Sequence, residues 1–401
     1  MARRGWRYFA TRLNGNGTET LLDMDLPIED VQIEDVLSGD QSLNCKIDPA
    51  FTRLRDDHGV PILHEWGTGI YAESDGDIRF GGILTHSGFN GPEWGLECVG
   101  FTGYARDMPW TAYSGRLRPP GWTTGTDGGG KGVKVDPLDV VRVLWDQIQE
   151  QPGGNIGLVP GDTTTGGKVL IGSALAADQY DPAGGGIDGV ALETQAYQAA
   201  IHSLHDIAGD IDSLAGATPF DYHERHQWKA DGTIGHYLDF GYPKIGRKRD
   251  DLRFVFGVNI FESPSVDNDG DIYASGTLVL GRGDGAGARR ALVEPPSRPQ
   301  NRLRRIAVVT DDTLRSNGAC RNRAEQENAW RRNLDDITSF TAVDHPNARL
   351  GAAKVGDTIR IEGQGDWKNF DVQVRILSIA YEPANGKIAQ YTVARTDKLT
   401  S

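Results

Sequence analysis

Short glycine-containing turns set the strongest constraint on this chain. Asn14-Gly15-Asn16-Gly17, Asp75-Gly76 and Asn90-Gly91-Pro92 each separate stretches in which apolar and polar residues alternate. Tight reversals need positive φ, which glycine, asparagine and aspartate accept at little steric cost, so such turns between alternating stretches predict β-hairpins. "GWRYFATRL" meets "TETLLDMDLP" across the first turn and "VPILHEWGTGIYAE" meets "DIRFGGILTHSGF" across the second; "EWGLECVGFTGYA" follows the third. "VQIEDVL" and "SLNCKID" lie between, and in the latter Leu43, Cys45 and Ile47 share one face. Consecutive hairpins of this kind predict a closed or nearly closed β-barrel over residues 1–115.

Residues 116–228 change character. "RPPGWTTGTDGGGKG" reads as a glycine-rich linker. "DPLDVVRVLWDQIQEQ" then predicts a helix capped by Asp136, with Pro137 at its first position and Val140, Val141, Leu144, Trp145 and Ile148 as its apolar stripe. A second helix is expected in "GVALETQAYQAAIHSLHDIAGDI", with Leu192, Tyr197, Ile201, Leu204 and Ile207 near helical spacing, and "FDYHERHQWK" reads as a strand. Residues 229–401 return to β character through "GHYLDFGYP", "LRFVFGVNIFE", "IYASGTLVLG", "TSFTAV", "KVGDTIRIEG", "FDVQVRILSIAYEP" and "KIAQYTVAR", the last two joined across Asn385-Gly386. A helix near 312–334 interrupts them. "SDGDIRFGG" at 74–82 echoes "NDGDIYASG" at 268–276, which would suit two β domains built to one plan. The expected fold class is therefore mainly β with an α+β insertion carrying glycine-rich loops at 116–228.

The formal net charge of −14 leaves no general attraction for nucleic acid or anionic membranes, although 244–253 and 298–332 are locally basic. Cys45, Cys98 and Cys320 are odd in number and form no CxxC, so buried thiols are expected rather than disulfides or a zinc ribbon. The N-terminus "MARRGWRYFATRL" lacks the apolar stretch of a signal peptide, and no run is long and apolar enough to span a membrane.

Four motifs carry possible chemistry. In "VDNDGDIYA", an EF-hand alignment on Gly270 puts Ser265, Asp267 and Asp269 at early ligand positions but Gly276 where a bidentate Glu belongs, so a tight turn between two strands is expected instead of a calcium site. "PGDTTTGGKVLIG" departs from a phosphate-binding loop, because Gly167 intrudes before Lys168 and Val169 replaces the magnesium-binding hydroxyl. His202 and His205 lie one helical turn apart and His223 and His226 follow, yet on a strand the latter two point to opposite faces and cannot share a zinc ion. No G-x-S-x-G elbow occurs, and no carboxylate pair is marked above the others; "ENAWRRNLDD" reads as a charged helix face. The expectation is no catalytic, cofactor-binding or metal-binding residue and no cofactor.

"HYLDFGYPKIGRKRDDLRFVFGVNIFE", Asp269-Gly270 with "IYASGTLVLGRGDG", the arginine-rich helix, "KVGDTIRIEG" and "VQVRILSIAYEP" follow one another in an order that resembles the minor tail proteins of phages infecting actinobacteria. More broadly, it is similar to the tail (baseplate) hub family of long-tailed phages; "FGGILTH" and "LECVGFTGYA" fit the same plan in the first β region. The resemblance implies a non-enzymatic structural protein of the virion tail tip, assembled in the host cytoplasm. It implies a homotrimer whose two tail-tube-like barrels per subunit form a six-barrel ring matching the hexameric tail tube, with the 116–228 part outside or below it. The implied partners are the distal tail protein or tube ring, the tape-measure protein, other tail-tip or fibre proteins, and genomic DNA in transit during ejection. With Ser401 directly after the last strand, no cell-wall-degrading extension is expected. The alternatives are a tail-associated cell-wall hydrolase using the histidines or a carboxylate pair, and a carbohydrate-binding tip protein using Trp66, Trp94, Trp110, Trp122 or Trp145.

Overall fold

A computed structural model describes residues 5–56, 58–108, 133–166, 169–171, 206–217, 220–262, 264–267, 270–283, 287–294, 302–311, 314, 316–331, 336–364, 369–385 and 387–396. The chain divides into two compact units, one of residues 1–246 with 380–386 and one of 247–379 with 387–401. The fold is mainly β with few helices, as the alternating stretches predict.

The first unit contains β1 (Trp6–Leu13), β2 (Glu19–Asp23), β3 (Ile28–Val36), β4 (Ser42–Ile47), β5 (Thr68–Ser74), β6 (Asp77–Asn90), β7 (Glu93–Gly100), β8 (Val133–Val135), α1 (Pro137–Gln149), β9 (Leu158–Pro160), β10 (Val169–Ile171), α2 (Ile207–Ala217), β11 (Asp221–Trp228) and β12 (Ile234–Gly241). Its main sheet has the order β3-β4-β7-β6-β5-β1-β2. The hairpins expected from the turns are present as β1–β2, β5–β6 and β6–β7. At the β5–β6 reversal Asp75 and Gly76 have φ of 56° and 92°, the two left-handed residues that a type I′ turn requires. In β3, strict alternation would put Ile28 and Val31 on opposite faces. Instead the register slips between Glu29 and Gln32 with Asp30 at φ 50°, and this bulge turns Ile28, Val31 and Ile33 all inward.

One expected strand is shorter than its sequence suggests. "EWGLECVGFTGYA" is extended only to Gly100; Phe101–Ala105 is a 3-10 turn that places Phe101 in the core. "FDYHERHQWK" and "GHYLDFGYP", on either side of residue 228, pair with each other as the β11–β12 hairpin. Helix α1 forms as the capping and periodicity predict: the Asp136 carboxylate accepts from Leu138 N at 3.0 Å, and Val140, Val141, Leu144, Trp145 and Ile148 are all buried. That stripe packs in one apolar core with Phe9, Tyr71, Phe101, Leu214 of α2 and Leu238 of β12. Each such large side chain contributes about 1.5–3 kcal/mol on burial, so the core fastens helix to sheet. Of the second expected helix, residues 206–211 lie within the described residues and open α2, with Ile207 buried; Leu192, Tyr197, Ile201 and Leu204 lie outside them.

The second unit contains β13 (Phe254–Val255), β14 (Ser265–Asp267), β15 (Gly276–Leu280), β16 (Arg290–Val293), β17 (Ile306–Thr310), α3 (Asn317–Arg331), β18 (Asp336–Val343), β19 (Thr358–Gln364), β20 (Asn369–Tyr381) and β21 (Ile388–Arg395). One sheet runs β14-β18-β21-β20-β19-β13 over a core in which the Phe340 and Tyr391 rings stack at 4.9 Å and Phe254 meets both edge-on at 5.4 Å. A separate sheet has the order β16-β15-β17, and α3 covers one face of it through Cys320 and Ala324 against Val279. The predicted helix at 312–334 is thus realised as Asn317–Arg331.

Among the described residues, the strands on either side of Asp269-Gly270 do not pair with each other as a hairpin would require. β14 pairs with β18, whereas β15 pairs with β16 and, in parallel, β17. "LRFVFGVNIFE" is extended only at Phe254–Val255; Asn259 then caps a reversal, its Oδ1 accepting from Val255 N at 2.7 Å. The echo between 74–82 and 268–276 therefore marks a hairpin in the first case, while in the second the flanking strands β14 and β15 belong to different sheets. Local alternation cannot separate these, because sheet membership depends on partners distant in sequence.

Candidate functional site

Two features of the first unit concentrate polar chemistry. On its main sheet the β3, β4, β7 and β6 ladders set Gln32, Asn44, Glu97 and His86 opposite one another in a row across four strands. The neighbouring row, Ile33, Leu43, Cys98 and Leu84, points inward and is at most 3% exposed. The sheet is thus apolar on one face and polar on the other, as period-two alternation requires. An open cavity of about 520 Å³ lies over the polar face, bordered also by Lys46 and Glu382. Lys46 Nζ is 3.0 Å from both Asp30 and Glu93, whose hydrogen bonds raise its pKa, so the cation is neutralised within the wall. A surface of this composition gathers no positive charge with which to hold phosphates.

The second feature is a buried carboxylate–histidine cluster. Glu224 and His226 alternate on β11 and face inward; His236 on β12 is the register partner of His226, and the two Nδ1 atoms are 2.8 Å apart. His236 Nε2 lies 3.1 Å from Glu19 Oε1, which also accepts from the Tyr71 hydroxyl at 2.6 Å. Glu224 accepts from Thr102 N at 2.7 Å, and His226 Nε2 is 3.8 Å from its other oxygen. The Nδ1 contact needs one nitrogen to donate and the other to accept, so only one of the two Nδ1 atoms can carry a hydrogen. Burial raises the Glu224 pKa to about 7. Burial, reinforced by His236, lowers that of His226 well below the usual histidine value, and burial with the nearby Glu19 raises Tyr71. The side chains of Glu224, His226 and His236 are at most 3% exposed, which suits a polar lock between hairpin and sheet rather than a site open to substrate.

Glycines make room for it. A Cβ on Gly100 would fall 1.9 Å from Glu224 Oε1, and one on Gly81 would meet Tyr71 and His226 at 2.5–2.8 Å. Sequence reasoning singled out His226 but missed Glu19, Tyr71, Glu224 and His236. The inward parity of Glu224 with His226 was the available signal; the partners come from β2, β5 and β12.

The predicted motifs resolve as follows. His223 and His226 do point to opposite faces: His223 Nε2 donates to Asp35 Oδ1 at 2.7 Å, with the Gln41 amide nitrogen 3.1 Å away. Although burial opposes its charge, Asp35 raises the His223 pKa. His202, His205, Trp110 and Trp122 lie outside the described residues, as do Asn268 and Asp269 of the calcium-like stretch and Lys168 of the phosphate-loop-like one. The described part of that loop folds onto α1: Asp136 Oδ2 accepts from Thr165 N, Thr165 Oγ1 and Gly166 N within 3.0 Å. A carboxylate therefore sits where a phosphate-binding loop would receive its anion. Trp94 and Trp145 are buried and Trp66 is 56% exposed. Cys45, Cys98 and Cys320 are free and buried. Among the described residues no group of three potential ligands is placed to hold a metal ion, and no helix is long and apolar enough to cross a membrane.

The architecture is similar to that of phage tail proteins over nearly all of the chain. The 43 kDa tail protein of prophage MuSo2 from Shewanella oneidensis superposes with a TM-score of 0.54 at 10% identity, covering 97% of this chain and 98% of that one. Prophage tail protein gp18 from Listeria monocytogenes EGD-e gives 0.53 at 12% identity, covering 98% and 95%. The tail protein from Neisseria meningitidis MC58 gives 0.50 at 14% identity, covering 97% of each chain. No protein-family model and no curated protein matches the sequence. The chain has the fold of phage tail proteins.

Proposed function

We propose that this chain is a structural tail hub (minor tail) protein of a long-tailed phage infecting actinobacteria. In this reading the main sheets of the two units are tail-tube-like barrels, so three copies make a ring of six. The ring adapts the hexameric tail tube to the tip complex and surrounds the DNA-ejection channel. The observation that carries it is the correspondence of almost the entire chain with prophage tail proteins of about its own length. The acidic net charge and the polar β3-β4-β7-β6 face support a channel wall past which a polyanion slides without sticking.

The division at 115 and 228 enters the proposal as a division by role. Residues 1–115 and 229–401 supply ring elements, while 116–228 supplies a flank anchored by α1. The proposed partners are the tube ring or distal tail protein, the tape-measure protein and further tail-tip or fibre proteins, with genomic DNA only in transit. The protein works without catalysis, in the virion, after assembly in the host cytoplasm. Gold-labelled antibody against the chain should mark the tail tip of intact particles; label on the capsid, or along the tube, overturns the placement. Zymography on mycolate-type wall material should show no clearing. Clearing that His202→Ala abolishes would favour the hydrolase reading instead.

A further inference from the structure

Two exposed edges of the molecule are apolar with opposite charge. In the sheet β16-β15-β17, Leu292, Leu278 and Val308 are register partners in one row. Their parity is opposite to that of Val279 and Val309, which lie against Cys320 and Ala324 of α3, so the row occupies the face that α3 does not cover. Leu292 is 47% and Val308 60% exposed. Arginines flank the row: Arg290 lies on the same face as Leu292, and Arg302, Arg304 and Arg305 lead into β17, all exposed, with the Arg302 guanidinium over the Tyr273 ring. Arg304 is paired with Glu294, and Arg305 lies 3.9 Å from Asp271. Arginine still outnumbers carboxylate there, in a chain whose net charge is −14.

The complementary surface is β2 and the turn after it. β2 is the end strand of its sheet and pairs with β1 alone among the described strands. It exposes Leu21 (50%) and is followed by Met24 (36%), interleaved with Asp23 and Asp25. An end strand with exposed apolar side chains is a surface that proteins ordinarily blunt or cover. An apolar row ringed by charge of one sign fits a partner of the opposite sign.

We propose that the β2 edge of one copy, through Leu21 and Met24, docks on the Leu292–Leu278–Val308 face of a second copy, with Asp23 and Asp25 facing its arginines. This rests on the hub reading for the idea that copies assemble, and goes beyond it by naming the surfaces. Because the two surfaces differ, the contact is heterologous and repeats head to tail, which closes a ring when the rotation between copies permits.

The test uses the full chain carrying Leu21→Asp or Leu292→Asp, each checked for an unchanged melting temperature. Both residues are exposed, so folding should survive either change. Sedimentation should show the unsubstituted protein as an assembly. Each variant alone should lose association about thirtyfold or more, the scale of an interface hot spot. Mixed one to one, the variants should recover dimers and no larger species, because L21D retains an intact docking face and L292D an intact β2. Association of the unsubstituted chain should also weaken as salt is raised. Assembly that survives both substitutions overturns the proposed contact and leaves the hub reading intact. A monomer at every concentration overturns the contact and the self-assembling hub together. Variants that dissociate but do not recover dimers on mixing overturn the head-to-tail geometry.

Discussion

Glu224 is the residue on which the chemistry of the first unit turns. Its folded pKa of about 7 stands above the ordinary 4.5 of a glutamate, so the folded state binds this proton more tightly than the unfolded chain does. A group of that kind stabilises below its unfolded pKa and loses its contribution as pH rises through the folded one. Glu224→Gln should therefore gain on the unsubstituted protein between pH 5 and pH 8, on the order of 2 kcal/mol. Urea unfolding at the two pH values checks this; an equal difference at both would show that Glu224 is not held protonated. His226 has the opposite sign. Its lowered pKa costs stability as pH falls below the usual histidine range. Gly100→Ala tests the packing of the same group. Its new Cβ would collide with Glu224 Oε1 while φ at Gly100, −56°, suits alanine, so a loss of about 1–3 kcal/mol would reflect overpacking alone.

At the scale of elements, Asp136 does two jobs, capping α1 with one carboxylate oxygen and holding the 165–166 loop with the other. Asp136→Ala should cost about 2 kcal/mol, the upper end for a lost cap, and Asp136→Asn should recover part of it. Thermal melting followed by circular dichroism distinguishes the three proteins; equal melting temperatures would deny the cap a role. This helix shows what could be read in advance. Cap, first-position proline and apolar stripe all lie within 13 residues, so local rules suffice, as they do for the inward face of β4. Elements built by distant pairing were not legible. The parallel β15–β17 pairing spans the stretch that separates them, and the strands on either side of Asp269-Gly270 found partners elsewhere, β14 with β18 and β15 with β16 and β17. The buried cluster failed to show for the same reason, since Glu19, Tyr71, Glu224 and His236 meet only after β2, β5, β11 and β12 are placed.

For the molecule as a whole, a mainly β chain with the fold of phage tail proteins is proposed to act through geometry, three copies presenting six similar cylinders to a hexameric tube. On that proposal its buried ionisable groups lock elements together and the polar face of its first main sheet lines the channel. The mass of the native particle in solution, read together with electron-microscope images of the same fraction, tests this most directly. Three copies in a ring with six similar densities around an open centre is the predicted result. A lone chain, or a ring whose copies each contribute a single density, would contradict it.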